Sequence, residues 1–225
     1  MSDESKDLVP AKQDSDTAID WASVVISAVP YLGGPISSIR SGITSARKDS
    51  RIREVLEAIA SDLKEFKSDA SEKYTKTEDF EELFERTLRQ VAEERNEKKR
   101  RIYKEFLLEA IKSPGEPYDE QDRHLRTLEE IQPVHLEILH AIQNAPEMGR
   151  NLNLKQHMMP VIKSFQTTLS RLVPDIPPER LPDLVRQLNS MLLTTLEEED
   201  DWQGLGRLPH TITPYGHRFM KFIIE

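Results

Sequence analysis

Residues 77–112, "TEDFEELFERTLRQVAEERNEKKRRIYKEFLLEAIK", decide how this chain builds its core. Phe80, Leu83, Phe84, Leu88 and Val91 recur every three or four residues, and the pattern returns as Ile102, Phe106, Leu107 and Ile111. Thr77 stands ahead of Glu78 and Asp79 as an N-cap, with acids where the helix dipole favours negative charge. The spacing predicts one long helix from Glu78 to about Lys112. Its middle, "EERNEKKRR", pairs Glu94 with Lys98 and Glu97 with Arg101 at i,i+4, and is expected to face solvent.

Upstream, Ile52, Leu56, Ile59, Leu63 and Phe66 mark a strongly amphipathic helix. Before it comes "WASVVISAVPYLGGPISSI", Trp21 to Ile39, which holds no charge in a chain that is 32% charged. Ile19, Ala22, Ile26 and Val29, then Leu32, Ile36, Ile39 and Ile43, fall at helical spacing on either side of "PYLGGP", which predicts a helical hairpin. Its 19 residues match the minimum for crossing a bilayer. Serines, prolines and glycines lower its hydropathy, however, and the turn would leave backbone groups unpaired in hydrocarbon. Packing on the 52–66 and 80–111 helices is the expectation. Trp21, Val25, Val29, Leu32, Ile36 and Ile39 are the candidate residues if the segment instead meets a partner or inserts conditionally into a membrane.

Downstream, "SPGEP" at 113–117 opposes both helix and strand and predicts a domain boundary. The expected organisation is a disordered acidic leader over 1–18, a helical bundle over 19–113, a linker over 114–118 and a second domain over 119–225. Asp119 can cap a helix carrying Leu125, Leu128 and Ile131. Pro133 breaks or restarts it to give Val134, Leu136, Ile138, Leu139 and Ile142. Two further helices are predicted, from about Lys155 to Leu172 and from about Glu179 to Leu196, separated by "VPDIPPE". Gly204, Gly206 and the "TIT" run at 211–213 predict a short β-hairpin. Thr213 and Pro214 then open a closing helix with Tyr215, Phe219, Phe222 and Ile223 on one face, the two phenylalanines expected against the 134–142 helix. The fold class is therefore mainly α: an N-terminal helical bundle followed by a winged-helix-like unit with a short β-hairpin.

Composition narrows the function classes. The net charge of −9, from 40 acidic and 31 basic residues among 225, disfavours nucleic acid as a partner. Acids outnumber bases from Asp175 onward, so the predicted winged-helix-like surface would repel phosphate. Lys98, Lys99, Arg100 and Arg101 form the one candidate basic patch, and their alternative reading is an exposed helix face paired with Glu94 and Glu97. The chain has no cysteine, which removes disulfides, thiolate metal sites and cysteine nucleophiles and fits a reducing cytoplasm.

Catalytic patterns do not emerge. His135 and His140 in "HLEILH" are five apart, about 140° around a helix, and no HExxH occurs. There is no GxSxG elbow, and "GLG" at 204–206 lacks the third glycine of a dinucleotide loop. The acidic run "EEEDD" at 197–201 reads as a solvated loop before it reads as a hard-cation site. No catalytic residue, cofactor or metal is expected.

The closing "TPYGHRFMKFI" resembles the end of bacterial abortive-infection alpha (Abi-alpha) proteins, and "VPYLGGPISSI" and "EKKRRIYKEFL" are similar to segments of uncharacterised bacterial helical proteins. That resemblance implies a bacterial cytoplasmic protein linked to phage defence or stress, with no catalytic residues to transfer. The expected function is a non-enzymatic interaction or regulatory protein whose Leu and Ile stripes anchor an unidentified protein partner or a second copy of the chain. A membrane-active effector using residues 21–43 and a DNA-binding transcriptional regulator are the alternatives.

Overall fold

The structure, a computed structural model, describes residues 45–63, 66, 68–147, 165–196 and 209–223. The leader, the uncharged 21–39 segment, the acidic run at 197–201 and the Gly204–Gly206 turn lie outside the described residues. The described chain is mainly helical: α1 (Ala46–Leu63), α2 (Asp69–Tyr74), α3 (Glu78–Glu93), α4 (Glu97–Lys112), α5 (Tyr118–Glu130), α6 (Pro133–Gln143), α7 (Phe165–Leu172), a 3-10 turn (Pro178–Arg180), α8 (Leu181–Ser190) and α9 (Pro214–Ile223).

The expected long helix is two helices. Asn96 sits in extended backbone and its Oδ1 accepts from the N–H groups of Lys98, at 2.9 Å, and Lys99, at 3.4 Å, which starts α4 afresh. Glu94 Oε1 accepts from the Asn96 N–H at 2.7 Å and fixes the bend. Arg51 of α1 donates to the freed Ala92 carbonyl at 2.8 Å, satisfying one of the acceptors a helix end leaves unpaired. Core burial explains the break. A continuous helix over 78–112 would run about 52 Å and carry its two apolar runs apart, whereas the 18-residue α1 spans only about 27 Å. Folding back at 94–96 lets both 16-residue halves, each about 24 Å long, pack on α1 and on each other.

Other local signals act as read. Thr77 caps α3 by accepting from the Phe80 N–H at 3.3 Å. On α1, Ile52, Val55, Leu56, Ile59, Ala60 and Leu63 are buried at spacings of three and four. Pro133 opens α6, and Thr213 Oγ accepts from the Gly216 N–H at 2.8 Å in the first turn of α9.

The C-terminal helix packs elsewhere than expected. Phe219 and Phe222 are buried, but α9 lies on α4 rather than chiefly on α6. The Phe222 ring is 5.5 Å from Phe106 of α4 and 4.9 Å from His124 of α5. Aromatic rings at these separations gain from both burial and ring geometry. Apolar residues on both sides of 113–118 thus share one hydrophobic core.

Among the described residues there is no strand. Where the hairpin was expected stands an isolated antiparallel bridge between Thr194 and Ile212. Asn189 organises that corner: its Oδ1 accepts from Thr194 Oγ at 2.7 Å and the Leu196 N–H at 3.1 Å, and its Nδ2 donates to the Leu196 carbonyl at 2.6 Å. Leu192 there adopts a left-handed φ of 59° and is 56% exposed. Gly216 lets α9 approach closely, since a Cβ at that position would lie 2.2 Å from the Leu193 carbonyl oxygen.

Candidate interaction groove

Two helix stripes and one turn enclose an open groove of about 580 Å³. On α6, core packing takes Ile138, Leu139 and Ile142, which leaves Pro133, Leu136, Glu137 and His140 in a second stripe at i, i+3, i+4, i+7. On α4 the matching stripe is Lys98, Arg101 and Ile102. The turn after α7, from Leu172 to Ile176, closes one end. The floor is apolar, with Ile102 and Leu136 only partly buried although both touch the core. Charge is confined to the rim. Lys98 reaches Glu137 across the groove at 3.5 Å, with both side chains largely in solvent, and Arg101 pairs with Glu97. Exposed pairs of this kind are worth about 0–1 kcal/mol and open at little cost. The volume falls in the roughly 300–1,000 Å³ range of pockets that seat ligands.

The candidate basic patch does not gather on one face. Lys98 and Arg101 flank the groove. Lys99 and Arg100 are each only 9% exposed, which corrects the expectation of a solvated middle. Arg100 donates to Glu54 Oε2 at 2.9 Å and to the Arg95 carbonyl at 3.0 Å, tying α4 to α1. Lys99 Nζ donates to the Glu129 carbonyl at 2.9 Å, and burial pushes its pKa down from the ordinary lysine value. The expected Glu94–Lys98 pair is replaced by Glu94 approaching Lys99 at 4.0 Å, whereas the Glu97–Arg101 pair forms as read. Nearby, Arg86 forks onto Glu129, with Nε to Oε1 and Nη2 to Oε2 both at 2.9 Å, and reaches Asp122 at 2.6 Å. The hydrogen bonds to Glu129 hold the Arg86 pKa above its ordinary value. These charges clamp α3, α4 and α5 together.

The histidines divide as their helical angle requires. His140 is exposed on the groove rim, while His135 is buried on the opposite side of α6. His135 Nδ1 accepts from the Gln132 N–H at 3.0 Å, so its proton sits on Nε2, which donates to Gln187 Oε1 at 2.7 Å. Burial lowers its pKa. His124 of α5 is fully buried against Tyr215, Phe219 and Phe222, at ring separations of 5.5, 6.0 and 4.9 Å. Neither of its ring nitrogens has a hydrogen-bond partner, and burial pushes its pKa down to about 4. Among the described residues no His, Asp and Glu cluster could hold a metal ion.

No family model, curated protein or solved structure matches this chain. Trp21, Val25, Val29, Leu32, Ile36 and Ile39 lie outside the described residues. Among those described, no helix is long and apolar enough to cross a membrane. The sequence carried a signal for the groove in Leu136, which lies about 200° around the helix from Ile138 and so cannot share its face. His124 also had a signal, being four residues before the buried Leu128 and hence on the core face.

Proposed function

We propose that the protein is a non-enzymatic interaction or regulatory protein that seats an apolar helix face of a protein partner in the groove between α4 and α6. The observation that carries this reading is the groove itself: an apolar floor beside the core, open to solvent, with charges only at its edges. Helix-in-groove recognition uses this arrangement, in which apolar residues at i, i+3, i+4 and i+7 supply affinity and rim charges set register. The resemblance of the closing residues to Abi-alpha proteins suggests a bacterial cytoplasmic setting in phage defence or stress. A winged-helix-like shape for residues 119–225 adds nothing to the proposal, because no strand pair forms a wing among the described residues. DNA binding is less well supported than from sequence, since Lys99 and Arg100 are engaged within the protein.

The test is capture of partners from the source cells by wild type and by Leu136→Asp. A charge at this partly exposed position spoils an apolar anchor without emptying the core. The proposal expects a partner held by wild type and lost by Leu136→Asp, with the two proteins melting together. Equal capture by both proteins refutes it.

A further inference from the structure

We propose that the seam between α5 and α9 is a second docking surface, separate from the groove, where Arg123, Arg218 and Lys221 bind an acidic helix of a partner protein. None of these residues lines the groove, so the inference stands independently of that reading.

The first observation is a cationic face on an acidic chain. On α9 the exposed residues are Pro214, His217, Arg218 and Lys221, at i, i+3, i+4 and i+7, and the helix contains no acid. Arg123 and Arg126 are exposed on α5. Against a net charge of −9, this face attracts anions only locally.

The second is the way the two helices bring these cations together. Tyr215 Oη lies 2.6 Å from Thr127 Oγ and 3.3 Å from the Arg123 carbonyl oxygen, while Arg218 approaches Glu120 at 3.8 Å. One turn forward on α9 thus meets one turn back on α5. The helices run in opposite directions along the seam, and Arg218 follows Arg123 by about one turn, roughly 5 Å.

The third is that the charges are held in place without being neutralised. The Arg123 guanidinium lies 3.8 Å from the centre of the buried Tyr215 ring, which fixes its plane. Among the described residues no acid pairs with Arg123, His217 or Lys221. The approach of Arg218 to Glu120 is too long for a hydrogen bond, and Glu120 Oε2 accepts none. Arg126 does pair with Asp122 at 2.6 Å, but Arg86 holds that carboxylate as well. A guanidinium stacked on one face keeps its donor edge open for a carboxylate, and binding removes little further side-chain freedom from it.

Spacing and sign select the partner. Glutamates at i and i+4 of a helix stand about 5–6 Å apart, the step that separates Arg123 from Arg218. Asp119 and Glu130 are exposed at either end of the α5 stripe that carries Arg123 and Arg126, and they would repel a continuous phosphate backbone. Discrete carboxylates avoid them.

Fluorescence anisotropy of a labelled, alanine-rich helical peptide with glutamate pairs at i and i+4 tests the proposal on the full chain. Wild type should bind it about tenfold or more tightly than the glutamine version of the same peptide, and Arg123→Gln/Arg218→Gln should lose that margin. Arg95→Gln/Arg186→Gln removes two exposed cations from the α3–α4 bend and α8 and should keep it. If Arg123→Gln lowers the thermal melt, Arg218→Gln/Lys221→Gln carries the same expectation without touching the Tyr215 stack. Equal binding of the two peptides overturns the proposal, as does an equal loss in Arg95→Gln/Arg186→Gln, which would reduce the effect to net charge. Tighter binding of a random-sequence DNA duplex than of the glutamate peptide overturns it in favour of a polyanion. A wild-type dimer that Arg123→Gln/Arg218→Gln dissociates overturns it in favour of a second copy.

Discussion

Acidification should weaken the fold through His124, and the size of the effect follows from its surroundings. The imidazole is fully buried under the α9 aromatics, neither nitrogen has a partner, and its pKa stands at about 4 against an ordinary 6.5. Glu120 pulls that value up, and Arg218 and Arg123 push it down, but burial is the largest cause. The unfolded chain therefore takes up a proton below pH 6.5, while the folded chain takes none until about pH 4. A depressed folded value means that the stabilising contribution is complete above 6.5 and is lost as pH falls from 6.5 toward 4. The full difference is about 3 kcal/mol, of which about 2 kcal/mol is lost by pH 5. Urea unfolding followed by circular dichroism at pH 7.5 and pH 5 measures it. In His124→Leu this share of the pH dependence should vanish, while that of His135, whose pKa burial depresses in the same direction, stays. At pH 7.5 the variant should lie within about 1 kcal/mol of wild type, because an apolar side chain of similar volume replaces two unpaired nitrogens. If wild type and His124→Leu lose equal stability between pH 7.5 and 5, the reasoning is refuted.

Gln187→Leu removes the acceptor of the His135 Nε2 proton and should cost about 1–3 kcal/mol in a thermal melt, since the donor stays buried. Gly216→Ala should cost about 1–3 kcal/mol or more, because the new methyl group collides with the Leu193 carbonyl and α9 must move; differential scanning calorimetry reads this directly. Leu192→Gly should raise stability by about 1 kcal/mol in urea titration, as it relieves a left-handed leucine whose side chain is mostly exposed. Phe219→Ala should cost about 3–5 kcal/mol and lower the midpoint of a single cooperative transition rather than unfold only the C-terminal helices, because α9 closes on α4.

What could be read from sequence was whatever local chemistry decides. Thr77, Pro133 and Thr213 mark helix starts by their own hydrogen bonding or ring geometry, and the apolar spacing of α1 needs no neighbour to be recognised. The break at 94–96 is hidden in the sequence because Glu94, Arg95 and Asn96 are each compatible with a helix. It is decided by the length of α1 and by the gain from burying both halves of 78–112 on the same core. Asn96 is the residue that could have signalled it, as an N-cap followed by acidic Glu97. The seat of α9 is hidden for the same kind of reason. Phe219 and Phe222 announce burial, but only the return of α4 along α1 determines which surface receives them. Likewise, Lys99 and Arg100 look like their exposed neighbours in sequence, and only the approach of α1 and α5 separates them from Lys98 and Arg101.

Hydrogen–deuterium exchange of the full chain with and without a captured partner tests the central claim most directly. The groove account predicts that slowed exchange concentrates in residues 98–102, 133–141 and 172–176, the three stretches that line it. Protection confined to other surfaces, with those three stretches exchanging as in the free protein, would contradict it.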